Sequence, residues 1–163
     1  MNGNIDLNDR FRFIIVDDSS NKIEFIKEIL GEMKIVPYVI NRGMYCRRTV
    51  FTAIEAHEEG KIPAIFLDEY LGTNELDTGT LISFSLSEYL KGKGGILFPT
   101  SPFHEMQLEK WSKVFKEGQE DWYIETELDP VLGNFNRNEI GRVCNEYLES
   151  IEKKEERSEV KNG

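Results

Sequence analysis

Cysteine is scarce in this chain of 163 residues: there are two, Cys46 and Cys144, far apart and outside any CxxC spacing. That pattern argues against a disulfide framework and a cysteine-based zinc site, and leaves two free thiols, buried or half-buried. Positive charge is also in short supply. Lys and Arg total 20 against 30 Asp and Glu, a net charge of -10 with no long basic run. Nucleic-acid binding rests on neutralising phosphates, so direct binding of nucleic acid is not expected. Long apolar runs are missing, and none approaches the about 18–20 residues that cross a bilayer. The opening MNGNIDLNDR lacks the basic-then-apolar pattern of a secretion signal, so a cytoplasmic protein is expected. The two histidines, His57 and His104, are isolated and spaced neither for zinc nor for a catalytic dyad. His57, among charges, is expected at the surface; His104 follows the fourth strand, near the candidate site.

What is present fits one globular domain. Apolar residues make up 39% and charged residues 31%, enough for one core and too apolar for a disordered chain. Strand-like and helix-like segments alternate, which predicts a parallel sheet with helices on both faces. Phe11 to Val16 is a short, near-continuous apolar run ending at Asp17-Asp18. A helix capped by Ser19 or Ser20 follows, with Ile23, Ile26, Ile29 and Leu30 on one face and a stop at Gly31. Ile35 to Ile40 reads as a second strand, pushed toward an edge by Pro37. Arg47 to Glu59 reads as a helix with Val50, Phe51, Ile54 and Ala53 inward. Ala64 to Leu67 is a third strand ending in Asp68, followed by a loop and a helix around Thr80 to Leu90. Gly92-Lys93-Gly94-Gly95 is a turn rather than a phosphate loop, because a strand follows it. Ile96 to Phe98 is a fourth strand ending at Pro99-Thr100-Ser101. Met106 to Lys116 is helical, anchored by Trp111 and Phe115. Trp122 to Ile124 is a weak fifth strand. Asn138 to Lys153 is a long last helix. The domain is expected over 1–152, with 153–163 a polar, frayed and disordered tail.

In such sheets the working site lies at the carboxyl ends of the strands. Those ends carry Asp17-Asp18, Asp68 and Thr100-Ser101. Neighbouring strands lie less than about 5 Å apart, so if strands one and three are neighbours the three carboxylates converge. Like charges that close repel unless one protonates or a cation intervenes. A hard divalent ion such as Mg²⁺ suits oxygen ligands of this kind. Asp68 is then placed to attack a phosphoryl group, with the Thr100 hydroxyl donating to a phosphoryl oxygen.

The segments FRFIIVDDSS, AIFLDEYL and GILFPTSP, in this order and spacing, resemble three signature segments of response-regulator receiver domains of two-component signalling. The resemblance covers about Phe11 to Ile151. It implies a doubly wound (βα)5 flavodoxin-like α/β fold with strand order 2-1-3-4-5. It further implies Asp17 and Asp18 as the acid pair that holds Mg²⁺, Asp68 as the phosphoacceptor, and Tyr70 as the residue whose backbone carbonyl completes the metal shell. Thr100 matches the switch hydroxyl and Ser101 the small residue after it. The implied partners are a histidine kinase or phosphotransfer protein and a downstream protein. With no output domain in the chain, the resemblance is to stand-alone receivers.

The chain departs from the family pattern at the end of strand five. Receivers carry there a Lys that contacts the phosphoryl group. Here Glu125 or a neighbour stands in its place, and no Lys occurs between Lys116 and Lys153. The loop after Asp68 carries the extra acids Glu75 and Asp77, and the family's strand-five aromatic falls near Tyr123. Two alternatives follow. One is a pseudo-receiver, an interaction module that keeps the fold and signals without phosphate. The other is a small Mg²⁺-dependent phosphohydrolase, since AIFLDEYLGT faintly resembles the nucleophile segment of haloacid-dehalogenase-type phosphatases; that family needs a second Asp where this chain has Tyr70.

Overall fold

A computed structural model describes residues 6–72, 77–115 and 121–162. The elements run α1 (Leu7–Arg10), β1 (Phe11–Val16), α2 (Ser20–Glu32), β2 (Tyr38–Ile40), α3 (Tyr45–Glu58), β3 (Ile62–Leu67), α4 (Gly79–Tyr89), β4 (Gly95–Pro99), α5 (His104–Val114), β5 (Trp122–Ile124) and α6 (Arg137–Asn162). All five strands are parallel, in the order β2-β1-β3-β4-β5. This is the doubly wound, flavodoxin-like α/β arrangement that the alternation and the resemblance predict.

The strand sequences explain the two-sided burial. Side chains alternate across a sheet with period two. Phe13, Ile15, Phe66 and Phe98 therefore face one way, packed with Ile23, Ile26 and Leu30 of α2 and Ile140, Val143, Cys144 and Leu148 of α6. Ile14, Val16, Ile65, Leu67 and Leu97 face the other way, against Tyr45 and Ala53 of α3, Ile82 and Leu86 of α4 and Trp111 of α5. Cys46 is half-buried, Cys144 is buried, and both are free thiols. Among the described residues no helix is long and apolar enough to cross a membrane.

Several boundaries differ from the sequence reading. α2 runs past Gly31 to Glu32 and is closed by Lys34 in the left-handed region (φ 61°). The Ile35 N–H bonds the Leu30 carbonyl, and Lys34 N–H the Gly31 carbonyl. The buried Ile35 thus ends the helix by a Schellman-type turn instead of opening a strand, and β2 shortens to Tyr38–Ile40. In α3 the inward face is built from Thr49, Thr52, Ala53 and Ala56, small residues that let the helix sit close to the sheet, while Phe51 is exposed. His57 is half-buried rather than at the surface. Segment 153–162, read as a frayed tail, continues α6 as helix, in keeping with its Glu, Lys and Arg content.

Candidate functional site

The register brings the predicted residues together. Val16 pairs with Leu67 and Leu67 with Pro99, so Asp17, Asp68 and Thr100 follow in one row at the carboxyl edge. The Asp68 N–H bonds the Val16 carbonyl at 3.1 Å and the Thr100 N–H bonds the Leu67 carbonyl at 3.1 Å, which carries the ladder into the row. By the alternation of the pleat, these three side chains stand above Ile15, Phe66 and Phe98. Phe66 and Phe98 stack at 4.5 Å between ring centroids, which gives the acids an apolar floor. Carboxylate oxygens of Asp17, Asp18 and Asp68 all lie within 4.8 Å of one another, with Asp17 and Asp68 buried and Asp18 exposed.

The cation between the acids is Lys22, which the sequence reading did not single out. Its ammonium lies 3.0 Å from Asp17 Oδ2 and 3.1 Å from Asp68 Oδ1. Asp17 Oδ1 accepts the Ser19 N–H, and Asp68 Oδ1 accepts the Glu69 N–H. Burial still dominates. It pushes the Asp68 carboxyl up from 3.8 to about 6, Lys22 pulling down and Asp17 pushing up. Asp17 is raised by burial as well, against the pull of Lys22 and the Ser19 N–H. The third acid, Asp18, uses Oδ2 to accept the Gly72 N–H at 2.8 Å, tying down the start of the β3–α4 loop.

Thr100 is buried, and its hydroxyl finds no hydrogen-bond partner among the described residues. Ser101 beside it is engaged: its N–H donates to Gln107 Oε1, and its hydroxyl accepts the Phe103 N–H. Gln107 Nε2 donates in turn to the Leu67 carbonyl, clamping the tips of β3 and β4 from α5. Tyr70 pairs with Thr78 in an isolated antiparallel bridge whose hydrogen bond runs from the Gly79 N–H to the Glu69 carbonyl. In that pattern the Tyr70 carbonyl is not spent on Thr78. Gly79 is required there, because a Cβ would sit 2.3 Å from the Asp68 carbonyl oxygen. Glu69 is buried beneath the loop and accepts from the Trp111 indole N–H and the Thr80 hydroxyl.

Glu125 does not join the acid cluster. Leu97 pairs with Ile124, so Glu125 falls level with Phe98, two residues short of Thr100. It is buried, and its carboxylate accepts the Glu127 N–H at 2.7 Å and the Tyr123 hydroxyl at 3.4 Å. The strand-five acid is thus committed to its own turn. Glu75 lies outside the described residues. His104 Nδ1 is 4.0 Å from Asp129 Oδ2 of the β5–α6 loop.

One sequence signal pointed to Lys22. Ser19 caps α2 by accepting the Lys22 N–H, so Lys22 sits at the third helical position, where a cation opposes the helix dipole. A cation placed there needs acids nearby to offset that cost. Glu69, Gln107 and Gly79 left no comparable signal, since their partners come from elements distant in sequence.

The donors fit a hard divalent ion: three carboxylates in mutual reach, a Tyr70 carbonyl not spent on Thr78 and a Thr100 hydroxyl without a partner among the described residues are all oxygens. The Lys22 ammonium stands between Asp17 and Asp68, so direct ligation by both acids needs it to move. Its side chain is 23% exposed, on a flexible stem with a route outward. Fold and site together define a flavodoxin-like α/β protein with an acid cluster at the carboxyl edge of its sheet. No protein-family model matches the chain, and no curated protein matches it.

Proposed function

We propose that this chain is a signal-transduction receiver that accepts a phosphoryl group on Asp68 in a Mg²⁺-dependent reaction and thereby switches its protein contacts. The observation that carries the reading is the row itself. Asp68 stands beside two further carboxylates within 4.8 Å, and next to it in register lies a buried hydroxyl with no partner among the described residues. Such a hydroxyl costs about 1–3 kcal/mol to leave unmet, which is consistent with a ligand that meets it. Both described contacts of the Asp68 carboxylate fall on Oδ1, leaving Oδ2 as the attacking oxygen. That oxygen forms a bond to phosphorus as the bond from phosphorus to the donor breaks, and the electron pair leaves with the donor. Thr100 is placed to donate to a phosphoryl oxygen. Mg²⁺ on Asp17, Asp18, Asp68 and the Tyr70 carbonyl would supply charge neutralisation for the transferring group. A histidine kinase or phosphotransfer protein would be the donor in the cytoplasm, and a downstream protein would read the change.

A second reading, the pseudo-receiver, is favoured by Lys22, whose ion pairs give the acids a cation without metal or phosphate. The phosphohydrolase reading has less support: the residue two after Asp68 is Tyr70, whose hydroxyl meets the Met106 sulfur at 3.4 Å. Intact-mass analysis separates these after incubation with Mg²⁺ and acetyl phosphate. The receiver reading expects one added phosphoryl group on wild type and none on Asp68→Asn. Unmodified wild type, beside a control receiver that is modified, overturns it.

A further inference from the structure

We propose that Lys22 is the phosphoryl-contacting cation of this site, delivered from the first turn of α2; the inference rests on the receiver reading above. Lys22 bridges the two buried acids at 3.0 and 3.1 Å, and its ammonium has no other hydrogen-bond partner among the described residues. It sits where a cation opposes the helix dipole, so the acids, not the helix, hold it in place. No second cation pairs with Asp17, Asp18 or Asp68 among the described ion pairs.

The chemistry of transfer then fixes what Lys22 does. Before reaction Asp68 is a carboxylate with its charge shared over two oxygens. After Oδ2 has displaced the donor's leaving group, that charge lies outward on the phosphoryl oxygens, and Oδ1 becomes the weakly accepting carbonyl of an acyl phosphate. The charge that Lys22 faces has thus moved from Oδ1 to the oxygens on phosphorus, along the path Oδ1–Cγ–Oδ2–P–O. An ammonium on a four-carbon stem follows such a shift outward, which frees the Asp17 and Asp68 oxygens it holds at 3.0 and 3.1 Å for the metal. Glu125, bound into its own turn, is not drawn in. The same lysine thus screens the acids before transfer and stabilises the charge that develops during it.

Two measurements test this. The first is the rate at which acetyl phosphate modifies Asp68 at saturating Mg²⁺, together with the aspartyl-phosphate lifetime after donor removal, for wild type, Lys22→Met and Lys22→Arg. Losing one well-placed donor to a developing anion costs about 10²-fold, so Lys22→Met should be slower by that order and Lys22→Arg should recover most of the rate. Wild-type rate and lifetime in Lys22→Met overturn the inference while leaving the receiver reading intact; unmodified wild type overturns both. The second needs no variant. Lys22 acylation by an amine reagent is mapped on wild type with Mg²⁺, with and without beryllofluoride as a phosphoryl mimic. The contact predicts several-fold protection of Lys22 in the mimic-bound state. Unchanged or greater labelling means that the ammonium is expelled, and overturns it.

Discussion

Replacing Asp68 by Asn should make the protein more stable at neutral pH, and the size of the gain follows from the pocket. Burial lifts the Asp68 carboxyl from 3.8 to about 6 even with Lys22 beside it. The folded state therefore holds this proton more tightly than the unfolded chain does. As pH rises from about 4 through 6 the unfolded chain ionises first, and the wild type loses stability across that window. The shift is about two pH units, and at about 1.4 kcal/mol per unit the ionised Asp68 costs about 3 kcal/mol above pH 7. Asn keeps the oxygen that accepts the Glu69 N–H and carries no charge, while Lys22 retains Asp17 at 3.0 Å. Asp68→Asn should therefore be more stable by about 2–3 kcal/mol at about pH 8, a rise in Tm of about 5–10 °C, and equal to wild type near pH 4. Urea unfolding at both pH values, in chelator to exclude divalent ions, measures this. A variant no more stable than wild type at the higher pH, or a gap that does not change with pH, would refute the reasoning.

Two other substitutions separate stability from chemistry. Thr100→Val removes a buried hydroxyl without a partner among the described residues, so stability should hold or rise by about 1 kcal/mol in urea unfolding, while modification of Asp68 slows at least about tenfold; a loss above about 1 kcal/mol would mean that the hydroxyl is bonded. Gly79→Ala places a methyl 2.3 Å from the Asp68 carbonyl oxygen, backbone that cannot turn aside. It should cost about 1–3 kcal/mol and weaken Mg²⁺ binding by displacing Asp68, as a Mg²⁺ titration of Trp fluorescence would read; wild-type stability and affinity would contradict the close approach.

The sheet was legible because its strands carry their own signals. Phe11–Val16 and Trp122–Ile124 are found at the expected bounds, being short apolar runs stopped by polar residues. The positions of Asp17, Asp68 and Thr100 followed, since each is the first residue beyond its strand and so falls at the carboxyl edge of the sheet. Helix faces were harder to read. Phe51 looked like core yet is exposed, while Thr49, Thr52 and Ala56 are buried beside the expected Ala53, small side chains that suit close packing. Lys34 closing α2 was hidden for a similar reason: the left-handed turn is secured by the burial of Ile35, not by a glycine. In the site, the acids were expected to draw in a divalent ion; in this structure the Lys22 ammonium lies between Asp17 and Asp68, and its reach across α2 to β3 is a tertiary contact that the sequence does not display. Glu125, standing where the resembled family has a Lys, lies outside the acid cluster: β5 ends two register steps before β4, and the carboxylate is tied to Glu127 and Tyr123.

If Asp17, Asp18, Asp68 and Thr100 form one cleft, a divalent ion and a phosphoryl mimic should bind there together. Amide chemical-shift mapping of the wild type, first with Mg²⁺ and then with beryllofluoride added, reads this directly. The account predicts that Mg²⁺ moves the amides around Asp18, Asp68 and Gly72, and that beryllofluoride extends the change to Thr100 and Ser101 only when Mg²⁺ is present. Spectra that stay fixed at these positions, or changes confined to the opposite edge of the sheet, would contradict it.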